Sequence, residues 1–571
     1  MTTRHLPPRA SLSASLLLLL PLAAPAAATT WYVAPTGDDQ NGGTSPADAF
    51  RTPQKAADVV GPGDVVDLLP GTYAGFNIFK SGQPGLEIRF EARPGVVLTG
   101  VNGFTGKDTV NLEGASHVVI DGFSIVGTGD PATHRAGVRA VGLSAGQPAS
   151  HVTVRRCVVD RPGRWGVFTG FVDDVVIEDC ECSRAADEHG IYVSNSGDRP
   201  VIRRNRVFLN HSNGIHMNGD ASLGGDGVIS DAVVERNVVF GNGDGNPAFG
   251  APGGSGINCD GVRDSVIRNN LLFDNHKSGI SLYRQDGGLP SSGNLVLHNT
   301  VVNASDARWC MNVKDGSAGN VIVGNVFHND HPARGSIETT SDCLPGTVCD
   351  FNAVEDRFSL DDVWIGLAAW RAATGLDAAS FVATPAALFE DPAAADFRLR
   401  AGSPALDAAS PAHPGTEDLF GLPRPSGAGP DVGALERCAG PGTATPFGSA
   451  LPPASGPAPL LFLAGCPAPG APIHLGVRNG AGGAPALLVV GATEVALPFL
   501  GGTLLVDPLV AATHVLSGPP GLATVGGIGW TFLLPSDATL TGAAISLQEL
   551  VADGAGPQGA TLSRGLRVTI G

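Results

Sequence analysis

A phrase returns about every 25–30 residues between Val152 and Asn329, and a period of that size marks a chain built from stacked repeats. Each copy is a short β-branched run ending in one fixed residue, then a polar turn, then Gly followed by an aliphatic residue. The runs read Val154-Arg155-Arg156-Cys157, Ile177-Glu178-Asp179-Cys180, Ile202-Arg203-Arg204-Asn205, Val234-Glu235-Arg236-Asn237 and Ile267-Arg268-Asn269-Asn270. They continue at Leu297-His298-Asn299 and Val323-Gly324-Asn325. The second half reads Gly166-Val167, Gly190-Ile191, Gly214-Ile215, Gly256-Ile257 and Gly279-Ile280. Each repeat has room for two or three short strands and shows almost no helical period. The pattern therefore predicts an all-β fold, a right-handed parallel β-helix (solenoid) in which each repeat is one rung.

Composition agrees with a turn-rich all-β chain. Of 571 residues, 79 are Gly and 44 are Pro, only 6% are aromatic, and 43% are hydrophobic, enough for a large core. The formal net charge of −18 and the lack of a Lys/Arg cluster exclude a nucleic-acid partner. An export signal is expected at residues 1–28: Arg4 and Arg9 form the basic region, Leu16 to Leu22 the apolar run, and Ala26-Ala27-Ala28 the cleavage site. No later run is long and apolar enough to span a bilayer. The reading is a secreted or cell-surface protein, monomeric, with an odd number of cysteines. Cys343 and Cys349 flank a Pro-Gly turn and form the first expected disulfide; Cys438 and Cys466 are the next candidates. Cys157 and Cys180 fill equivalent slots and read as stacked buried thiols or a bridge.

The chain divides into a cap and first rungs at 29–105, the main coil at 106–350, its C-terminal end at 351–437 and a separate β-rich domain at 438–571. A capping helix is expected near Pro53–Val60. A second helix is expected over Ser359–Thr374, where Val363, Ile365, Leu367, Ala368 and Trp370 are apolar. The last domain, with short apolar runs such as Ile473–Val477 and Ala486–Val490, reads as a β-sandwich.

Alternation along the Gly-Ile strands points the residue after each aliphatic outward. One outward column is Phe168, Tyr192, His216, Asn258, Ser281 and Asn312. A second is Gly170, Ser194, Asn218, Asp260, Tyr283 and Lys314, with Arg284 following Tyr283. The mixture of aromatic, amide, imidazole, amine and carboxylate groups suits an elongated saccharide groove. Asp187, Glu188, His189, Tyr192, His216, Asn218 and Asp220 concentrate on two neighbouring rungs, and this cluster is the candidate site. Asn205, Asn237, Asn270, Asn299 and Asn325 read instead as an internal amide ladder between rungs.

The N-terminal stretch Gly37-Asp38-Asp39 to Asn41-Gly42-Gly43-Thr44, the Pro62-Gly63-Asp64-Val65-Val66 strand and the Pro70-Gly71-Thr72-Tyr73 turn resemble the N-terminal module of secreted β-helix proteins. That superfamily includes the pectate, alginate and chondroitin lyases. Ser81-Gly82-Gln83-Pro84-Gly85-Leu86-Glu87-Ile88 is similar to the opening of alginate and chondroitin lyases. The resemblance implies a protein that binds or cleaves an acidic, uronate-containing polysaccharide, by β-elimination if catalytic. A lyase neutralises the uronate carboxylate, removes the C5 proton and protonates the leaving oxygen. Ca²⁺ on hard oxygen ligands suits the first task, with Asp187, Glu188, Asp220 and Asp260 as candidate ligands. His189, His216, Tyr192, Tyr283 and Lys314 are candidates for proton transfer, and Asn218, Asn258 and Arg284 for substrate binding. The chain has no Asn-Gly-x-Glu-x-Ile-Arg run of the alginate and chondroitin lyases. Asp187-Glu188-His189 is loosely similar to the Asp-Pro-His motif of uronan C5-epimerases. The alternatives are such an epimerase and a non-catalytic surface or adhesive glycan-binding scaffold.

Overall fold

The computed structural model describes residues 28–243 and 254–571; all but the last residue of the expected export signal lies outside them. Three sheets of twelve strands each wind into a coil. The first runs from Thr30–Val33 to Val348–Asp350 and the third from Gly71–Tyr73 to Phe381–Val382. The second starts at Phe76–Ile78; its parallel strands end at Phe358–Leu360. Equivalent residues of successive copies pair directly: Ile177 with Ile202, Ile202 with Val234, Val234 with Ile267. Their side chains point inward and are fully buried, as are Ile191, Ile215, Ile257 and Ile280 of the second sheet and Val207, Val239 and Leu272 of the third. Each such side chain contributes roughly 1.5–3 kcal/mol by leaving water.

The fixed residue of the phrase sits at an inner corner. The residue before it takes a left-handed backbone: Arg204 at φ +56°, Arg236 at +58°, Asn269 at +53° and His298 at +51°. That conformation costs a non-glycine residue roughly 1–2 kcal/mol. A buried amide ladder offsets it. Asn205 N–H donates to Asn237 Oδ1 at 2.9 Å, Asn237 N–H to Asn270 Oδ1 at 3.0 Å, Asn270 N–H to Asn299 Oδ1 at 3.0 Å and Asn299 N–H to Asn325 Oδ1 at 2.9 Å. Each side-chain Nδ2 reaches back to a strand carbonyl one rung earlier, as Asn237 does to Ile202 at 2.9 Å. Cys157 and Cys180 occupy the same slot as free buried thiols. The corner glycines are required by close approach: a Cβ on Gly190 would run into Val207 and Asn210.

The N-terminal helix is Pro53–Val59, capped by Thr52 Oγ1 accepting from Lys55 N–H at 3.2 Å. It packs Ala56 and Ala57 against the coil core. The second expected helix is shorter than its apolar pattern implied, and spans only Leu367–Thr374. Phe358–Leu360 and Val363–Ile365 form an antiparallel hairpin that ends the second sheet. Asp361 and Asp362, at φ +50° and +63°, make the tight turn, and two consecutive positive φ values favour a hairpin over a helix.

After Phe381–Val382 the chain stops adding rungs. It folds back so that Leu388, Phe389, Phe397, Leu419 and Val432 cover the outer face of the third sheet at Leu271, Val302, Val326 and Ala353. The C-terminal domain consists of antiparallel sheets that share a core of Leu461, Ile473, Leu475, Leu488, Leu547 and Val568. Arg206 ties it to the coil by donating to Val525 O at 2.5 Å, and Asn479 does so by donating to Ala394 O at 2.8 Å.

The disulfide expectation is corrected here. Cys343 and Cys349 are both free and buried. Cys349 points into the coil core from a first-sheet strand, while Cys343 lies in the turn Ser341–Cys343, its Sγ 3.5 Å from Thr340 Oγ1. The bridge joins Cys438 to Cys466, with Cα atoms 4.9 Å apart. Alkylation under denaturing, non-reducing conditions is expected to label all cysteines except Cys438 and Cys466. Asn237→Ala strips the Asn205 N–H of its acceptor inside the coil. It should lower stability by about 1–3 kcal/mol in urea unfolding; a loss well below that range would show that the ladder does not hold the corner.

Candidate functional site

The outward columns of the second sheet are in register. Phe168 pairs with Tyr192, Tyr192 with His216, His216 with Asn258, Asn258 with Ser281, Ser281 with Asn312 and Asn312 with Glu338. Ser194, Asn218, Asp260 and Tyr283 form the second column alongside.

His189, His216, Tyr192 and Asn218 come together. The His189 Nε2 to His216 Nδ1 distance is 3.0 Å, and the Tyr192 and His216 rings stack at 4.9 Å with planes 10° apart. Asn218 Nδ2 donates to Tyr192 Oη at 3.3 Å. A proton inventory fixes the imidazoles. Asn213 N–H donates to His189 Nδ1 at 3.2 Å, so His189 carries its proton on Nε2 and gives it to His216 Nδ1. His216 then holds its own proton on Nε2. That buried atom has no partner, and neither has Asn218 Oδ1. Burial keeps both rings neutral: it pushes His216 down to about 3, and burial together with the neighbouring His216 pushes His189 well below the ordinary imidazole value. Burial raises the Tyr192 phenol.

Trp165, Phe168 and Tyr192 line the adjoining wall. Trp165 stacks on Phe168 at 4.4 Å, and Tyr192 meets Phe168 edge-on at 5.4 Å. Glu188 accepts from Trp165 Nε1 at 2.6 Å and sits 3.3 Å from Arg164, which also reaches Asp187 at 3.4 Å. Burial raises the Glu188 carboxyl.

The remaining candidates stand apart from this group. Tyr283 Oη accepts from Asn258 Nδ2 at 2.8 Å, one and two rungs on. Lys314 is taken up by Glu338 at 3.5 Å and Asp362 at 3.2 Å. Arg284 is exposed on a rim loop, its backbone N–H on Asp315. The four carboxylates expected to share Ca²⁺ do not gather; no cluster of three or more metal-ligating side chains exists among the described residues. Asp187 and Glu188 hold Arg164. Asp220 binds Ser222 N–H at 3.1 Å within its own turn, and Asp260 accepts the backbone N–H groups of Gln285, Asp286 and Gly287 at 2.8–3.0 Å. Asp260 is thus the anchor of the rim loop. Sequence reasoning missed Trp165, which precedes Gly166 as His189 precedes Gly190, and Arg139, which pairs with Phe168 and follows Gly137-Val138. The offset from the corner glycine carried both signals.

The imidazoles make stability pH-dependent. Their folded values lie below the unfolded value of about 6.5, so below that pH the unfolded chain binds more protons. Stability present above pH 6.5 is lost as pH falls toward about 3. Urea unfolding across this range should show His216→Gln flattening the acid limb by on the order of 2 kcal/mol. An unchanged acid limb would mean that His216 does not stay neutral in the fold.

The model "Right handed beta helix region" matches residues 88–249, and "Periplasmic copper-binding protein (NosD)" matches 225–341. In the latter span Cys259, Cys310 and Met311 are core residues, and among the described residues no metal-ligating cluster is present, so these residues do not fit a copper ion. No curated protein matches by sequence. Among solved structures, pectate lyase Pel9A is similar at 18% identity over 72% of this chain and 96% of its own, with a TM-score of 0.51. A rhamnogalacturonan lyase is similar at 16% identity over 52% and 82%, TM-score 0.41. An alginate lyase from Paenibacillus sp. is similar at 20% over 50% and 93%, TM-score 0.35. With its three twelve-stranded sheets of parallel rungs, the chain has the right-handed parallel β-helix fold, a fold it shares with pectate lyase Pel9A.

Proposed function

We propose that this is an exported protein that binds a linear, neutral polysaccharide along the outward face of the second sheet, centred on His189, Tyr192, His216 and Asn218. The observation that carries the reading is the unpartnered buried pair, the His216 Nε2 donor and the Asn218 Oδ1 acceptor, beside the Trp165–Phe168–Tyr192 wall. Leaving such groups unpaired costs about 1–3 kcal/mol each, a cost that a ligand removes. Sugar hydroxyls both donate and accept, and the apolar faces of sugar rings pack on aromatic walls. A fold shared with a pectate lyase supports a carbohydrate ligand.

Charge favours a neutral polymer over a uronate one. Three cations on this face, Arg139, Arg164 and Lys314, are already held by five carboxylates, Glu113, Asp187, Glu188, Glu338 and Asp362. Another carboxylate would be repelled there. β-Elimination also needs a free base, and the network holds His216 as a donor at Nε2. Affinity electrophoresis against xylan, glucan, mannan, pectate and alginate, with and without Ca²⁺, tests this. Retardation by a neutral polymer is expected, with His216→Ala weakening it at least tenfold. Unsaturated, ultraviolet-absorbing products from pectate or alginate would replace this reading by a lyase.

A further inference from the structure

Trp364 occupies the last position of the column that carries Tyr192 and His216. The pairing runs from Asn312 to Glu338, Glu338 to Ser359, and across the terminal hairpin from Ser359 to Trp364. Ile365, on the opposite face of the same strand, packs on the coil core, so the indole points away from it. Trp364 is 57% exposed. Its ring meets Trp309 at 6.2 Å with planes 79° apart. Trp309 precedes Cys310 at the corner just as His189 precedes Gly190, and is 3% exposed. Beside the indole, Ser359 is fully buried and its hydroxyl has no partner. The far end of the column thus repeats what the imidazole centre shows: an aromatic surface beside a buried polar atom left unpaired.

We infer that Trp364 is a stacking platform for a sugar ring at the far end of the polymer face, so that the site holds one long chain and not a short oligomer. Seven strand spacings separate it from Tyr192, about 34 Å. This inference rests on the polysaccharide reading above. Its chemistry is that of the apolar face of a pyranose ring on a flat indole, with the half-buried amide of Asn312 in between.

The test is a glycan array of linear xylan, glucan, mannan and uronan oligomers, graded from disaccharides to long chains, probed with the full-length protein, Trp364→Ala, Trp364→Phe and His216→Ala. For the wild type, affinity should rise with chain length until the oligomer reaches the indole. Trp364→Ala should leave short oligomers unaffected and weaken long ones roughly fivefold to tenfold, with Trp364→Phe recovering most of that loss. Equal length dependence in wild type and Trp364→Ala, with binding lost in His216→Ala, would overturn the platform and leave the polysaccharide reading standing. Equal weakening of short and long oligomers would assign Trp364 a structural role and overturn the platform too. No binding of any glycan by the wild type would overturn both.

Discussion

The rest of the structure depends on the rung-to-rung amide clamp at the inner corner. Each ladder asparagine accepts the previous rung's N–H and donates to a carbonyl of that rung, so one side chain fixes two backbone groups of its neighbour. Parallel strands with aliphatic interiors offer little else to set register, and a slip by one residue would turn every inward isoleucine outward. With the register held, the residue after each aliphatic must line up with its counterpart on the next rung. The outward columns are therefore a consequence of the corner, and so is any site built from them.

A side-chain clamp of opposite polarity holds the candidate site, where the earlier rung accepts the N–H of the next. At the corner that opens the second sheet, His189 Nδ1 accepts the N–H of Asn213, and Asn213 Oδ1 accepts that of Ser255. A histidine in this role has a second nitrogen left over, and its proton is passed to His216. This is why the chemistry of His216 is set by backbone pairing three residues earlier in the rung, at Asn213. The proton on its Nε2 follows from a structural hydrogen bond, and burial, which keeps both rings neutral, preserves it.

The coil was legible because its determinants are local and repeated. Asn237 and Ile202 recur at a fixed offset, and each copy reports the same corner and the same inward face. Arg139 and Trp165 were harder to see: Arg139 lies before the first clear copy of the phrase, and Trp165 stands just before the corner glycine of one, although both hold the same offsets as the site residues. Asp260 could not be assigned from sequence. Its column position resembles that of a ligand, yet its oxygens accept three N–H groups from a loop about 25 residues further on. Cys343 and Cys349 show the same limit: both are buried in the core, one from a turn and one from a strand, and closeness in sequence does not make them a bridge. The hairpin over Phe358–Ile365 was misread because an apolar pattern of that length fits a helix as well as a strand, and the two left-handed aspartates decided it.

The sequence by itself determined the parallel coil, its inward aliphatic rows, its amide ladder and the order of residues along the outward face. All of these follow from a period that each repeat carries within itself. Only the tertiary structure decided which outward groups meet, which are consumed by loops and ion pairs, and which are left without a partner. Those outcomes depend on the length and path of the connections between rungs, which vary from copy to copy and bring together residues that no local pattern relates. His189 and His216 share a proton, while Asp187 and Asp260 serve an arginine and a loop, because of where those connections place their neighbours.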